Sequence, residues 1–267
     1  MKISVIIPTY NRASFLESCI KSVLEQTCCV DEIIVVDDGS NDNTFETVKQ
    51  FDVKYIYQTN QGVSKARNTG ILNAKNGWIA FLDSDDIWHK NKIAHHIEFH
   101  TNNPLSLASF TDERWIRNEK IINLKTHQTK EMPTFLNSLK RCKIGASTFF
   151  CHKQLFEFVG YFDESLIACE DYDLWLRILR KYPIHYIDEK LASKYAGHPN
   201  QLSFETKTID KYRIYALKKH LESEYKVEVL QELIYKTELL LKGAIKHGNT
   251  EILEEFEKEL NYFIALK

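Results

Sequence analysis

Short apolar runs and helical periods take turns along the first hundred residues. Residues 3–7, 33–36, 54–57 and 78–82 are dominated by aliphatic and aromatic side chains and end in turn residues. Such short runs bounded by turn residues read as strands, those over 33–36 and 78–82 as buried ones. Residues 15–25 carry Leu16, Cys19, Ile20, Val23 and Leu24 at helical spacing. A helix over 44–50 follows, with Asn41, Asp42 and Asn43 as candidate caps, and another over 62–74. This β-α-β-α order argues for a parallel sheet with right-handed crossovers.

The pattern weakens from about 112 to 143, where charges are many and periods few; we expect a mobile connection there plus one helix near 132–141. Residues 145–152 read as a strand returning to the sheet. Residues 170–181 read as a helix with Leu174, Trp175, Ile178 and Leu179 on its apolar face. After residue 206 the chain turns helical to its end. Segments 227–247 and 251–265 are separated by Gly248-Asn249-Thr250, a C-cap followed by an N-cap, which predicts an αα-hairpin. The expected division is an α/β domain over 1–205 and a helical extension over 206–267.

Composition narrows the function. With 267 residues, 43% apolar and 27% charged, the chain is in the ordinary globular range. A formal net charge of −2 gives no reason to expect a nucleic-acid partner. The six cysteines show no zinc spacing, and with no signal peptide evident a reducing cytoplasm is expected. No segment approaches the roughly 20 apolar residues of a membrane helix, so any membrane contact is expected to be peripheral.

Two acidic clusters follow predicted strands: Asp37-Asp38-Gly39-Ser40 and Asp83-Ser84-Asp85-Asp86. Each would stand at the carboxyl end of a parallel strand, where open α/β sheets bind ligands. Carboxylates one residue apart in an extended turn suit Mg²⁺ or Mn²⁺. Equally, Asp-Gly-Ser is ordinary turn chemistry, and Asp85 or Asp86 could cap a helix starting near Trp88. Lys65 and Arg67, near the start of the third helix, oppose its dipole unless an anion is bound; as solvated side chains they would mean nothing. Glu170-Asp171-Tyr172-Asp173 opens a helix, where acids are favoured by the dipole and where a general base could stand. His198 lies in a polar loop as a ligand, a donor or neither.

In this order the pieces resemble the family 2 glycosyltransferases, inverting enzymes of the GT-A fold, over roughly residues 1–200. The resemblance rests on Val5-Ile6-Ile7-Pro8-Thr9-Tyr10-Asn11-Arg12, the two acidic clusters, the stretch 62–70, and Phe162-Asp163-Glu164 with Glu170-Asp171-Tyr172-Asp173-Leu174-Trp175-Leu176-Arg177. It implies a Rossmann-like, mostly parallel central sheet flanked by helices, with a C-terminal helical extension. It also implies donor binding by Pro8, Thr9, Tyr10, Asp37, Asp38, Arg67, Asp83 and Ser84. Asp85, with His198, would hold Mn²⁺ or Mg²⁺. Asp171 would be the base, with Asp173 as runner-up. The implied substrates are a nucleotide-sugar donor, a UDP-sugar by family expectation, and a saccharide or lipid-linked acceptor. A sugar nucleotidyltransferase would want a glycine-rich basic loop after the first strand, which Pro8-Thr9-Tyr10-Asn11-Arg12 is not. A non-catalytic sugar-nucleotide-binding scaffold would have no use for Asp171. Donor sugar, linkage and oligomeric state are left open by these residues.

Overall fold

The computed structural model describes residues 1–122, 131–195, 197 and 208–267. Its first half follows the sequence pattern closely: β1 (Ile3–Thr9), α1 (Ala13–Leu24), β2 (Glu32–Asp37), α2 (Thr44–Val48), β3 (Lys54–Tyr57), α3 (Val63–Asn73) and β4 (Trp78–Phe81). β1, β2, β3 and β4 pair in parallel, with Thr9 opposite Asp37 and Ile6 opposite Phe81. Their carboxyl ends therefore reach one edge of the sheet together, as the apolar runs predict.

Both faces of β1, β2 and β4 are buried, which explains runs without alternation, whereas β3 at the sheet edge is only half-buried and its Tyr57 is exposed. Ile6 faces one side with Ile34, Val36, Ile79 and Phe81. Val5 and Ile7 face the other with Ile33, Val35, Ala80 and Leu82. Leu16, Ile20 and Val23 of α1 complete the second layer, each contributing about 1.5–3 kcal/mol by leaving water. α3 covers the first face so closely that a Cβ on Gly70 would stand 2.3 Å from Ile6 Cγ2; only glycine permits that approach.

Beyond β4 the sequence reading needs correction. No helix starts near Trp88: Asp86–Trp88 is a short strand, β5, and the next helix is α4 (Lys92–Asn102). The stretch expected as a mobile connection holds the ten-residue β6 (Ala108–Arg117), which turns back into β7 (Lys120–Ile122). The helix expected near 132–141 is the single turn α5 (Phe135–Ser138), with Thr134 and Asn137 forming a reciprocal cap. A 3₁₀ turn over Ala146–Thr148 leads into β8 (Phe149–His152), then α6 (Gln154–Val159), α7 (Glu170–Leu179) and β9 (His185–Tyr195). The sheet order is β3-β2-β1-β4-β8-β6-β9-β5, with β7 on β6. The architecture is the expected α/β one, but the sheet is mixed. β8 runs antiparallel to β4 and β6, while β9 is parallel to β6 and antiparallel to β5.

Three helices close the chain: α8 (Ile209–Lys218), α9 (Lys226–His247) and α10 (Thr250–Leu266). Gly248 ends α9 in the left-handed region at φ 68°, and the Asn249 side chain accepts the Ile252 N–H to start α10, as the capping signal predicts. Their core is shared with α7. Leu174, Trp175 and Ile178 of α7 join the sheet core, while Tyr172 and Leu176 join Leu217, Leu230, Leu233 and Phe256. The expected boundary at 205/206 lies outside the described residues.

Candidate active site

The carboxyl ends of β1, β2 and β4 open on a cleft of about 820 Å³, closed on its far side by the first turns of α7 and α8. Pro8, Thr9, Tyr10, Arg67, Asp38, Asp83, Ser84, Asp85 and Asp171 all line it. Asp37 does not; its carboxylate accepts the Ser40 N–H at 2.8 Å and the Tyr55 hydroxyl at 2.6 Å beneath the turn. His198 lies outside the described residues. A shallower hollow of about 420 Å³ between α1 and the β5 turn stands apart from these groups.

Each acid has a distinct task. Asp38 accepts the backbone N–H groups of Gln61 (3.0 Å) and Gly62 (2.8 Å) and the Gln58 amide (2.7 Å), fixing the loop into α3. Asp83 accepts Arg67 Nη2 at 2.7 Å, and Glu170 accepts Arg67 Nη1 at 2.6 Å. Protein carboxylates thus offset the dipole penalty that the sequence assigns to Arg67. Burial opposes the Arg67 charge, but Asp83 and Glu170 more than restore it. Burial likewise opposes ionisation of Asp83, which Arg67 and Lys194 outweigh, holding its carboxyl below the usual range. Lys65 pairs with Glu164 at 3.3 Å instead of facing the cleft.

Asp86 is fully sunk, accepting Ser147 Oγ at 2.6 Å. Burial, reinforced by Asp83 and Asp85 against Lys194, pushes its carboxyl well above the ordinary range. Asp85 lines the cleft too, 3.5 Å from Arg12 Nη1 and without the buried hydrogen bond to Ser147 that Asp86 makes. Among the described residues, no cluster of three or more His, Cys, Asp or Glu could hold a metal ion. One carboxylate completed by phosphate oxygens and water is nevertheless a donor set that Mg²⁺ and Mn²⁺ accept. The cleft also carries eight carboxylic side chains against four basic ones, an imbalance that suits a cation. Thr9, in the same wall, has its Oγ1 buried with no hydrogen-bond partner among the described residues.

Across from these groups the chain enters α7 through Cys169, held in the left-handed region at φ 61°. Such strain in a non-glycine residue clusters at functional sites. The Asp171 carboxylate accepts the Tyr172 N–H at 2.6 Å and lines the cleft, with the Cys142 sulfur 3.5 Å away, its one S–H shared between Asp171 and the Ile144 carbonyl at 3.2 Å. Asp173 is withdrawn: fully buried, it pairs with Arg177 at 2.8 Å and Lys219 at 2.7 Å.

The sequence reading missed Glu113, Trp115, Lys194 and Arg213, all of which line the cleft. Glu113 accepts Trp115 Nε1 at 3.1 Å beside a bulge in β6, and Lys194 stands 5.6 Å over the Trp115 ring. Burial opposes the Lys194 charge, but Asp86, Glu113, Asp83 and Asp171 raise its pKa. A cross-strand signal existed, since Lys194 pairs with both Trp115 and Asp86. Reading it requires β6 and β9, whose registers the sequence does not set.

The sequence model of glycosyl transferase family 2 matches residues 4–160. An Escherichia coli relative, the UDP-Glc:alpha-D-GlcNAc-diphosphoundecaprenol beta-1,3-glucosyltransferase WfgD, is 31% identical over 251 residues, covering 92% of this chain and 95% of that protein. An uncharacterized glycosyltransferase of Rickettsia conorii is 32% identical over 214 residues, 74% of this chain; the chain spans 34% of that protein's length, and 65% of that of a Rickettsia prowazekii relative. Among solved structures, Staphylococcus aureus TarS 1–349 in complex with UDP-GlcNAc superposes with a TM-score of 0.79 at 21% identity, covering 100% of this chain and 81% of that one. No helix among the described residues is long and apolar enough to cross a membrane.

Proposed function

The chain belongs to glycosyl transferase family 2 and is a glycosyltransferase, and we propose that it moves a sugar from a UDP-sugar to a hydroxyl of a lipid-linked saccharide, with inversion, by metal-assisted direct displacement. One observation carries the reading: Asp171 and the strand-end loops face each other across a single cleft. The WfgD name supports a lipid-linked acceptor, and the TarS complex supports a UDP-sugar donor.

In this reading the nucleotide lies along Pro8, Thr9, Tyr10 and Asp38, with Thr9 Oγ1 gaining the partner it lacks. Arg67 acts from behind, holding Asp83 rigid for the donor beside Ser84. Asp85 would hold the divalent cation, which when bound neutralises diphosphate charge. The acceptor oxygen forms its bond to the anomeric carbon as the bond to the diphosphate oxygen breaks. Asp171 takes the hydroxyl proton, its carboxylate aimed by the Tyr172 N–H. Charge developing on the leaving diphosphate meets Arg12 and Lys194 in the same wall. We further propose that residues 206–267 are a helical extension appended to the α/β domain of residues 1–205.

Calorimetric titration of UDP, with GDP as comparator, in Mn²⁺ and again in EDTA tests the donor half. Metal-dependent binding of UDP in preference to GDP is expected. Absence of binding by either nucleotide in both conditions would overturn the reading.

A further inference from the structure

We infer that α8 supplies an anion subsite for the acceptor, in which Arg213 grips the phosphate or diphosphate that ties the acceptor saccharide to its lipid. The inference rests on the transferase reading above and adds the chemical class that the acceptor presents beyond its sugar.

Position comes first. Ile209 and Arg213 close the cleft beside Cys142, Cys169 and Asp171. The Cys169 thiol donates to the Ile209 carbonyl at 3.7 Å, and the Cys142 sulfur lies 3.5 Å from the Asp171 carboxylate. Arg213 lines the cleft together with both cysteines. It therefore belongs to the Asp171 wall and not to the strand-end loops. With an acceptor hydroxyl at Asp171, the far side of that sugar, where its carrier is attached, falls toward α8.

The cations of the cleft are not equally committed. Both terminal nitrogens of Arg67 are bound, to Glu170 and Asp83. Lys194 sits 3.9 Å from Asp86 and in the field of Asp83, Glu113 and Asp171. Arg213 gives Nη1 to Asp210 at 2.9 Å; among the described residues its buried Nε has no partner and no hydrogen bond commits its Nη2. A guanidinium with spare N–H groups matches phosphate oxygens in a fork. It also answers a charge problem, since an anionic acceptor entering a wall with Glu170 and Asp171 would otherwise be repelled. Beside it, Ile209 and the 61% exposed Ile167 offer apolar contact to the first carbons of a lipid.

The test uses the full chain saturated with UDP and Mg²⁺, so that the donor site is filled. Farnesyl diphosphate and farnesol are titrated calorimetrically into the wild type, Arg213→Gln and Arg213→Lys. The wild type is expected to bind the diphosphate at least tenfold more tightly than the alcohol. Arg213→Gln should weaken the diphosphate by about tenfold and Arg213→Lys by less, charge-assisted hydrogen bonds being the strong ones, with UDP affinity unchanged within twofold. Equal diphosphate affinity in Arg213→Gln, or no preference over farnesol in the wild type, overturns the inference. If UDP itself fails to bind, the transferase reading falls; the same probes, titrated without it, still judge Arg213.

Discussion

Arg67 and His220 show how differently one buried cationic or basic side chain can be used. Arg67 is 4% exposed and joins α3 to the β4 loop and to α7 through Asp83 and Glu170. Replacing it with Met would leave the buried Glu170 and the partly buried Asp83 without their shared cation, and breaking such a pair costs about 3–5 kcal/mol. Chemical denaturation of Arg67→Met at pH 7 should show a loss of that size; under 1 kcal/mol would mean the pair is not structural. His220 is 1% exposed and neither ring nitrogen has a partner among the described residues. Burial, aided by Arg180, Arg177 and Lys219 and opposed by Asp173, lowers its pKa to about 4. The unfolded chain takes up this proton first, near the ordinary value of about 6.5. Stability from this group is therefore full above pH 6.5, falls as pH drops toward 4, and is level below. His220→Leu should remove that acid slope and hold or raise stability at pH 7, because an unsatisfied buried polar group disappears. An unchanged slope between pH 7 and 4 would contradict this.

At the scale of elements, legibility followed packing. β1, β2 and β4 are buried on both faces, so apolar runs marked them, and the Gly248-Asn249 caps marked the turn from α9 to α10. β6 was not legible. Polar and charged Ser109, Thr111, Asp112 and Glu113 are buried in it, which erases the alternation a strand normally shows. β5 was read as a helix start because Asp85-Asp86 suits an N-cap, yet pairing with β9 wins locally. α7 is the hinge of the design: it carries Asp171 on its first turn and buries Tyr172 and Leu176 against the C-terminal helices. Deleting residues 208–267 would expose that face. The truncated protein is expected to lose cooperative thermal unfolding or to aggregate; a soluble, cooperatively folded fragment with intact UDP affinity would show that α7 stands without them.

Over the whole molecule, the parallel half of the sheet and the mixed half meet at one cleft, and the two supply different parts of it. The sequence made the strand-end half readable, because Thr9, Asp38, Asp83 and Asp85 follow apolar runs directly. Asp37 was read with them but turned under the loop, where Tyr55 and the Ser40 N–H take its oxygens. The opposite half depends on long-range pairing: Glu113, Trp115 and Lys194 through β6 and β9, and Arg213 through α8 packing on α7. Such contacts leave no local period. The central claim is that Asp171 takes the acceptor's proton while playing no part in holding the nucleotide. Asp171→Asn keeps the shape and the Cys142 contact but removes the basic oxygen. Measured together on that variant, transfer from a UDP-sugar to a lipid-diphosphate saccharide should fall by about 10²–10⁴-fold, with UDP affinity within twofold of wild type. Full transfer activity in Asp171→Asn would contradict the account.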